Sequence, residues 1–427
     1  MKQNSPRILT SAVQSIATIV FMIALAIPNV VSARDIYVSP TGDNSNPGTR
    51  AQPLGTLFHA MANLSAGDTL FVMPGVYRVA QQTTFVRRSN PVTFEFEPLV
   101  GSPSQRTRII GLRDSEGRPP RIFASLDVRG SHITISGLQL IGTDAGPNLS
   151  GIGIFDSHNI HIFNCTISGF GGSGISFNQC DVVSAVGNTI FRNAFTNPNQ
   201  SSGISLYQNV VRTTSNVRYG AIIRDNVCAL NENQVAPSAG GSFTDGNGII
   251  IDDFVYSQQT GILQQAMAGV EVDGATGVPV IEIDDAGFPV NYGRDTLVLG
   301  NITFFNGGRG IHVFLSDRVD IYNNLSFRNL TSPELTDDLP RDANGEPFFR
   351  YGEINLTDAK DCRVINNEGV SLNEDAAGAA EQFFSRIPFN LESTILARRN
   401  FFRNLADQDH DVDVINANQS ELFSQAR

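Results

Sequence analysis

From Arg121 onward the chain repeats short alternations of apolar and polar residues, each about one strand long and each closed by asparagine or glycine. ITISGLQLIG, IHIFNCTISGF, VVSAVGNTIFRN, LVLGNITFFN and VDIYNNLSFRN are examples. Alternation with period two marks strands buried on one face, and Asn and Gly mark the turns between them. Asn164 to Asn188 is 24 residues and Asn301 to Asn324 is 23, a repeat length that solenoids use. The pattern predicts an all-β solenoid, a parallel β-helix, over 121–427. Asparagines aligned at one turn, Asn164, Asn188, Asn301 and Asn324, are expected to hydrogen-bond from coil to coil and to be structural.

A second register starts each coil with Gly–apolar–x–apolar: GIGIF (151–155), GISFN (174–178), GISLY (203–207), GIIID (248–252) and GIHVF (310–314). EINLT (353–357) fits the same frame with Glu353 in place of glycine. Alternation then sends one outward column through Gly153, Ser176, Ser205, Ile250, His312 and Asn355. A second runs through Phe155, Asn178, Tyr207, Asp252, Phe314 and Thr357. Both columns are bland in the early coils and become charged at Asp245–Asp253, Arg309–His312 and Arg350–Asn355. Longer asparagine spacings mark loop insertions near 254–294 and 331–349, and a solenoid sheds such residues on one face, often the binding face.

The chain begins with Lys2 and Arg7, an apolar run from Ile16 to Ile27, and small residues at Val31 and Ala33. This predicts a signal peptide over 1–33, a secreted or periplasmic protein, and no membrane association after cleavage. Residues 34–120 are expected to hold an N-terminal cap and the first coils. Within them Thr56 can N-cap a short helix carrying Leu57, Ala60, Met61 and Leu64 on one face, which would cover the end of the core.

The formal net charge is −12, and the sequence has no basic cluster, which argues against nucleic acid as a partner. The four cysteines show no metal-ligand spacing, and buried free thiols are expected. A monomer acting on a polysaccharide is the expected arrangement.

Three sets of residues carry candidate chemistry. Asp245, Asn247, Asp252 and Asp253 offer oxygen ligands of the kind Ca²⁺ takes, although turn aspartates on a solvated edge also account for them. His312, Arg309 and Glu353 are the candidate catalytic groups. His312 could act as base, Arg309 could pair with a carboxylate, and Glu353 could serve as acid, base or ligand. Tyr207, Asn355 and Arg350 are candidate substrate contacts.

DIYVSPTGDNSNPGT, QPLGTLFHAM and AGDTLFVMPGVYR, within Asp35–Arg78, resemble the start of secreted right-handed parallel β-helix proteins, among them the pectate lyase L-like, family-nine polysaccharide lyases. The resemblance implies a right-handed β-helix with a capping helix and export. It also implies β-elimination on a uronic-acid polysaccharide, with an Asp-rich calcium site and a lysine base. The Asp-rich stretch is present, but beyond the signal segment Lys360 is the sole lysine. Two other readings stay open: a glycoside hydrolase using paired carboxylates among Asp252, Asp253 and Glu353, and a non-catalytic glycan-binding protein.

Overall fold

The computed structural model describes residues 33–78, 93–94, 99–142, 149–237, 243, 245–254, 292–335, 351–357, 359, 361–371, 376–382, 396–398, 400–404 and 415–416. The predicted signal segment up to residue 32, most of both predicted insertions, Arg350 and Lys360 lie outside them.

The chain winds as a right-handed parallel β-helix with three sheets, of twelve, eleven and nine strands among the described residues. Sheet 1 stacks Ile152–Phe155, Ile175–Asn178, Ile204–Tyr207, Ile249–Asp252, Ile311–Phe314 and Tyr351–Thr357 in that order. Each coil then turns into sheet 2, which includes His158–Phe163, Asp181–Val186, Tyr219–Arg224, Asp295–Leu299 and Val319–Tyr322. A second corner leads to sheet 3, with Thr166–Ser168, Thr189–Phe191, Val227–Ala229, Ile302–Phe304, Leu325–Phe327 and Glu368–Ser371. Among the described strands only the terminal pair, Phe401–Asn404 with Ile415–Asn416, is antiparallel.

The register of sheet 1 is the one read from the Gly–apolar repeat. Ile152, Ile175, Ile204, Ile249, Ile311 and Ile354 stand opposite one another along six coils, all buried in the core. Each such side chain taken from water stabilises the coil by roughly 1.5–3 kcal/mol, and a one-residue slip would forfeit the whole column. The helix α1, Leu57–Ala62, is N-capped by the Thr56 hydroxyl, which accepts the His59 N–H, and it buries Leu57, Ala60 and Met61. All four cysteines are unpaired and buried.

The asparagine ladder is present but offset from the predicted alignment. Cys165 N–H donates to Asn188 Oδ1 (3.0 Å), and Asn188 Nδ2 donates to Asn226 Oδ1 (2.9 Å). The chain of bonds continues through Asn301, Asn324, Asn367 and Asn400. Cys165, not Asn164, therefore occupies the rung below Asn188, one coil of 23 residues away. Asn164 sits one residue earlier, at a left-handed corner (φ 54°) that continues through Gly187, Asp225, Gly300, Asn323 and Asn366, all with positive φ. Those residue types tolerate this conformation, so two adjacent asparagine-rich columns have different causes.

A second ladder, not anticipated from the sequence, closes the corner between sheets 3 and 1. Asn193, Asn231, Asn306 and Asn329 bond in series, with Phe170 N–H donating to Asn193 at one end. The glycine column of sheet 1 packs tightly against this corner and the sheet 3 side chains beside it. A Cβ on Gly203 would meet Asn231 Nδ2 at 2.7 Å, and one on Gly310 would meet Ser326 Oγ at 1.8 Å.

The end of the long insertion is tied to the body at Asp181. This buried carboxylate accepts bonds from the Tyr292 hydroxyl (2.7 Å) and from the Arg212 and Thr213 N–H groups, and it pairs with Arg294 (3.0 Å). Gly220, on the intervening coil, lets Tyr292 cross, since a Cβ there would lie 2.1 Å from the hydroxyl.

Replacing Asn301 by Ala leaves the Asn226 N–H and side-chain amide without their acceptor in a dry interior. It is expected to cost about 2–4 kcal/mol in urea unfolding. Asn164→Ala, at the exposed corner, should cost about 1 kcal/mol. Equal losses would overturn the assignment of Cys165 as the rung.

Candidate functional site

Sheet 1 places the polar coils side by side, as the predicted columns require. Ile250 lies opposite His312 and His312 opposite Asn355, while Tyr207 lies opposite Asp252 and Asp252 opposite Phe314. The two columns differ in access. Tyr207, Asp252 and Phe314 are half-buried, whereas His312 is 4% exposed and Asn355 is fully buried.

His312 and Asn355 share a partner in Thr357. The His312 Nε2 lies 3.2 Å from the Thr357 hydroxyl, which also accepts the Asn355 side-chain N–H at 2.8 Å. Asn355 Oδ1 accepts the Gly352 N–H (3.2 Å), so this amide is held at both ends. The other His312 nitrogen, Nδ1, is buried with no hydrogen-bond partner among the described residues. Burial first, and the Arg309 charge second, hold the His312 pKa well below the ordinary imidazole value. The ring is therefore neutral at neutral pH.

Arg309 is buried at the strand entrance, with its guanidinium 3.8 Å from the centre of the Tyr351 ring. Burial lowers its pKa, opposed by Tyr351 and by the nearby Asp245. Asp245 is half-buried, and desolvation pushes its pKa up to about 6 against the pull of Arg309 and a hydrogen bond from Asn247 (3.3 Å). Tyr351 and Thr357 thus shape the surroundings of both catalytic candidates. The sequence reading assigned neither a role, although Tyr351 adjoins the flagged Arg350–Asn355 stretch.

The four predicted calcium ligands do not fit one cation. Asn247 and Asp252 are five residues apart on an extended segment, about 16 Å at the usual strand rise, while Ca²⁺ holds its oxygens at about 2.3–2.6 Å. Asp245 and Asn247 stand at one end of the strand, Asp252 and Asp253 at the other. Asn247 is further committed, since its Oδ1 accepts the Arg309 N–H (2.8 Å) and its Nδ2 donates to Ser202 (3.1 Å). Asp253 is buried at a left-handed corner, where it accepts a bond from the Gln208 amide at 2.9 Å. Among the described residues no group of three or more His, Cys, Asp or Glu side chains is arranged to hold a metal.

Glu353 points inward, away from the outer face that the other candidates share. Its carboxylate accepts the Asn329 N–H (3.0 Å) and the Asn329 side-chain amide (2.5 Å), as each ladder asparagine does for its predecessor. Ser326 adds a third bond at 3.0 Å. With Glu353 in the glycine's place, this coil uses the side chain it gains to end the second ladder. Burial, offset by those bonds, raises the Glu353 pKa to about 7.

A carboxyl whose pKa is higher folded than unfolded is protonated more in the folded state, so its stabilising effect is lost as pH rises. For Glu353 the window runs from its ordinary 4.5 to about 7. Across that window Glu353→Gln should gain stability with rising pH relative to the wild type, measured as a difference in urea midpoints. A pH-independent difference would contradict the burial of an ionisable group at the ladder's end.

Residues 36–227 match the family model described as "Pel9A-like, right handed beta helix region". Among curated proteins, the uncharacterized protein YwoF of Bacillus subtilis (strain 168) is 32% identical over 131 residues, 29% of this chain. The chain spans 25% of the length of that relative. Among solved structures, pectate lyase Pel9A is 13% identical with a TM-score of 0.45, covering 87% of this chain and 80% of its own. The GH136 lacto-N-biosidase from Eubacterium ramulus is 15% identical, TM-score 0.40, covering 86% and 55%. The alginate lyase from Paenibacillus sp. str. FPU-7 is 13% identical, TM-score 0.40, covering 86% and 99%. Over residues 36–227 the chain is thus similar to a Pel9A-like right-handed β-helix region, in agreement with its fold.

Proposed function

We propose that this chain is an exported, carbohydrate-active β-helix protein that cleaves a uronate-containing polysaccharide by β-elimination. The observation that carries the reading is the His312 Nδ1, a basic nitrogen without a partner among the described residues, in the same coil as the Arg309 guanidinium. With Nε2–H donating to Thr357, Nδ1 keeps its lone pair, and because that atom is buried the side chains over it must move aside before it accepts the proton next to a uronate carboxylate. Arg309 supplies the positive charge that offsets the carboxylate as negative charge builds on that carbon. The C–H electrons then form a carbon–carbon double bond as the glycosidic C–O bond breaks, and the leaving oxygen takes a proton from water. The depressed pKa of His312 keeps it in the accepting form through the neutral range.

The paired-carboxylate alternative loses Glu353 to the ladder, and Asp253 is tied to Gln208. Calcium has no part in this proposal, because the four predicted ligands do not converge. Tyr207, half-buried in the neighbouring outward column, is a candidate for stacking on a sugar ring, with Asp252 beside it.

The test incubates the full chain with polygalacturonate or alginate and follows the ultraviolet absorbance of unsaturated ends. Wild type should produce them, and His312→Gln should lower the rate by about 10²–10⁴-fold with little change in Tm. New reducing ends without absorbance would replace elimination by hydrolysis, and full activity in His312→Gln would remove the base.

A further inference from the structure

From Ile152 to Arg328 the three corners of the coils carry residues with positive φ, but the columns differ in what they hold. The first corner carries Asp156, Gln179, Gln208, Asp253 and Leu315, and the second carries asparagine, aspartate and glycine. After Gly169 the third corner carries Arg192 (φ 54°), Leu230 (57°), Phe305 (52°) and Arg328 (55°). Left-handed backbone disfavours side chains of this size, and their burial cannot account for them, because all four are exposed. Leu230 is 41% and Phe305 37% exposed.

This ridge borders an aromatic row on the outer face of sheet 3. Phe304 and Phe327 stack with centroids 5.1 Å apart and planes at 9°, and Phe305 meets their edges at 5.7 and 6.3 Å. Three coil steps separate Arg192 from Arg328, about 14 Å at the strand spacing of a sheet. No salt bridge to either arginine occurs among the described residues, in a chain whose formal charge is −12. Glu368 is the carboxylate in the neighbouring sheet 3 column, opposite Leu325.

We infer that this ridge is a second glycan-binding surface, separate from sheet 1, that holds an anionic polysaccharide strand along the helix axis. The stacked phenylalanines offer a flat apolar face to sugar rings, and the terminal arginines offer forked donors to carboxylates. A two-fold copy of the chain is a poorer occupant, because it would bring arginine against arginine. The inference rests on the carbohydrate reading of the chain but not on chemistry at His312.

The test uses the full chain carrying His312→Gln, so that bound polymer is not consumed. Affinity electrophoresis in polygalacturonate, alginate and neutral dextran measures retardation. The ridge predicts retardation by the polyuronates alone, weakening with salt. Adding Arg192→Gly with Arg328→Gly should weaken it about ten-fold or more, the loss of charge-assisted contacts. Glycine relieves the left-handed backbone, so Tm should hold or rise. Unchanged retardation, equal retardation by dextran, or a clear fall in Tm, which would make the arginines structural, overturns the inference. So does a dimer in size-exclusion chromatography that the double variant dissociates. If the chain shows no elimination yet is retarded as expected, the ridge stands while the lyase reading falls.

Discussion

From Cys165 to Asn400 successive coils are held together by asparagine side chains that replace backbone partners at the corners. There the strands end, and N–H and C=O groups would otherwise be left in a dry interior, which costs about 1–3 kcal/mol per group. An asparagine side chain can accept from one coil and donate to another, so one residue type repeated at coil spacing satisfies the whole column. The inward isoleucine stack, the outward columns and the placement of the loops all follow from keeping that register.

Much of the fold was legible because its rules are local and periodic. The Gly–apolar frame placed six strands of sheet 1 correctly, and Thr56 marked the capping helix. The ladder was off by one at Asn164 because asparagine suits both a rung and a left-handed corner, and the two positions are adjacent. The second ladder was missed because Asn193, Asn306 and Asn329 close their repeats, where asparagine also serves as an ordinary turn residue. Of the candidate site, the pairing of His312 with Asn355 and of Tyr207 with Asp252 could be read from alternation alone. What could not be read was direction at a strand's start. Glu353 stands where a glycine had left no side chain to orient, and only the empty place in the second ladder explains its inward turn.

The polar groups of sheet 1 carry opposed electrostatic demands. Arg309 favours the charged form of Asp245 and disfavours the charged form of His312, while desolvation acts against all three. The result is a neutral imidazole beside a cation. Both effects leave the imidazole unprotonated at neutral pH and make it a weaker base than a free one. Tyr351 holds the guanidinium in two ways, by the face of its ring and by a side-chain hydrogen bond.

The crossing at Asp181 changes how the solenoid can come apart. Stacked coils ordinarily contact their immediate neighbours, so opening can creep inward one coil at a time from an end. Tyr292 and Arg294 reach past the Gly220 coil to Asp181, and that bond skips a step. Fraying that arrives from the C-terminal side must release the strands 295–299, 219–224 and 181–186 together or stop at their boundary. Tyr219 and Arg218 reach past the 295–299 strand to Asp320 in the same way, so the interlocked block runs on to Val319–Tyr322, and the coils of sheet 1 that carry Tyr207 and Asp252 wind through it.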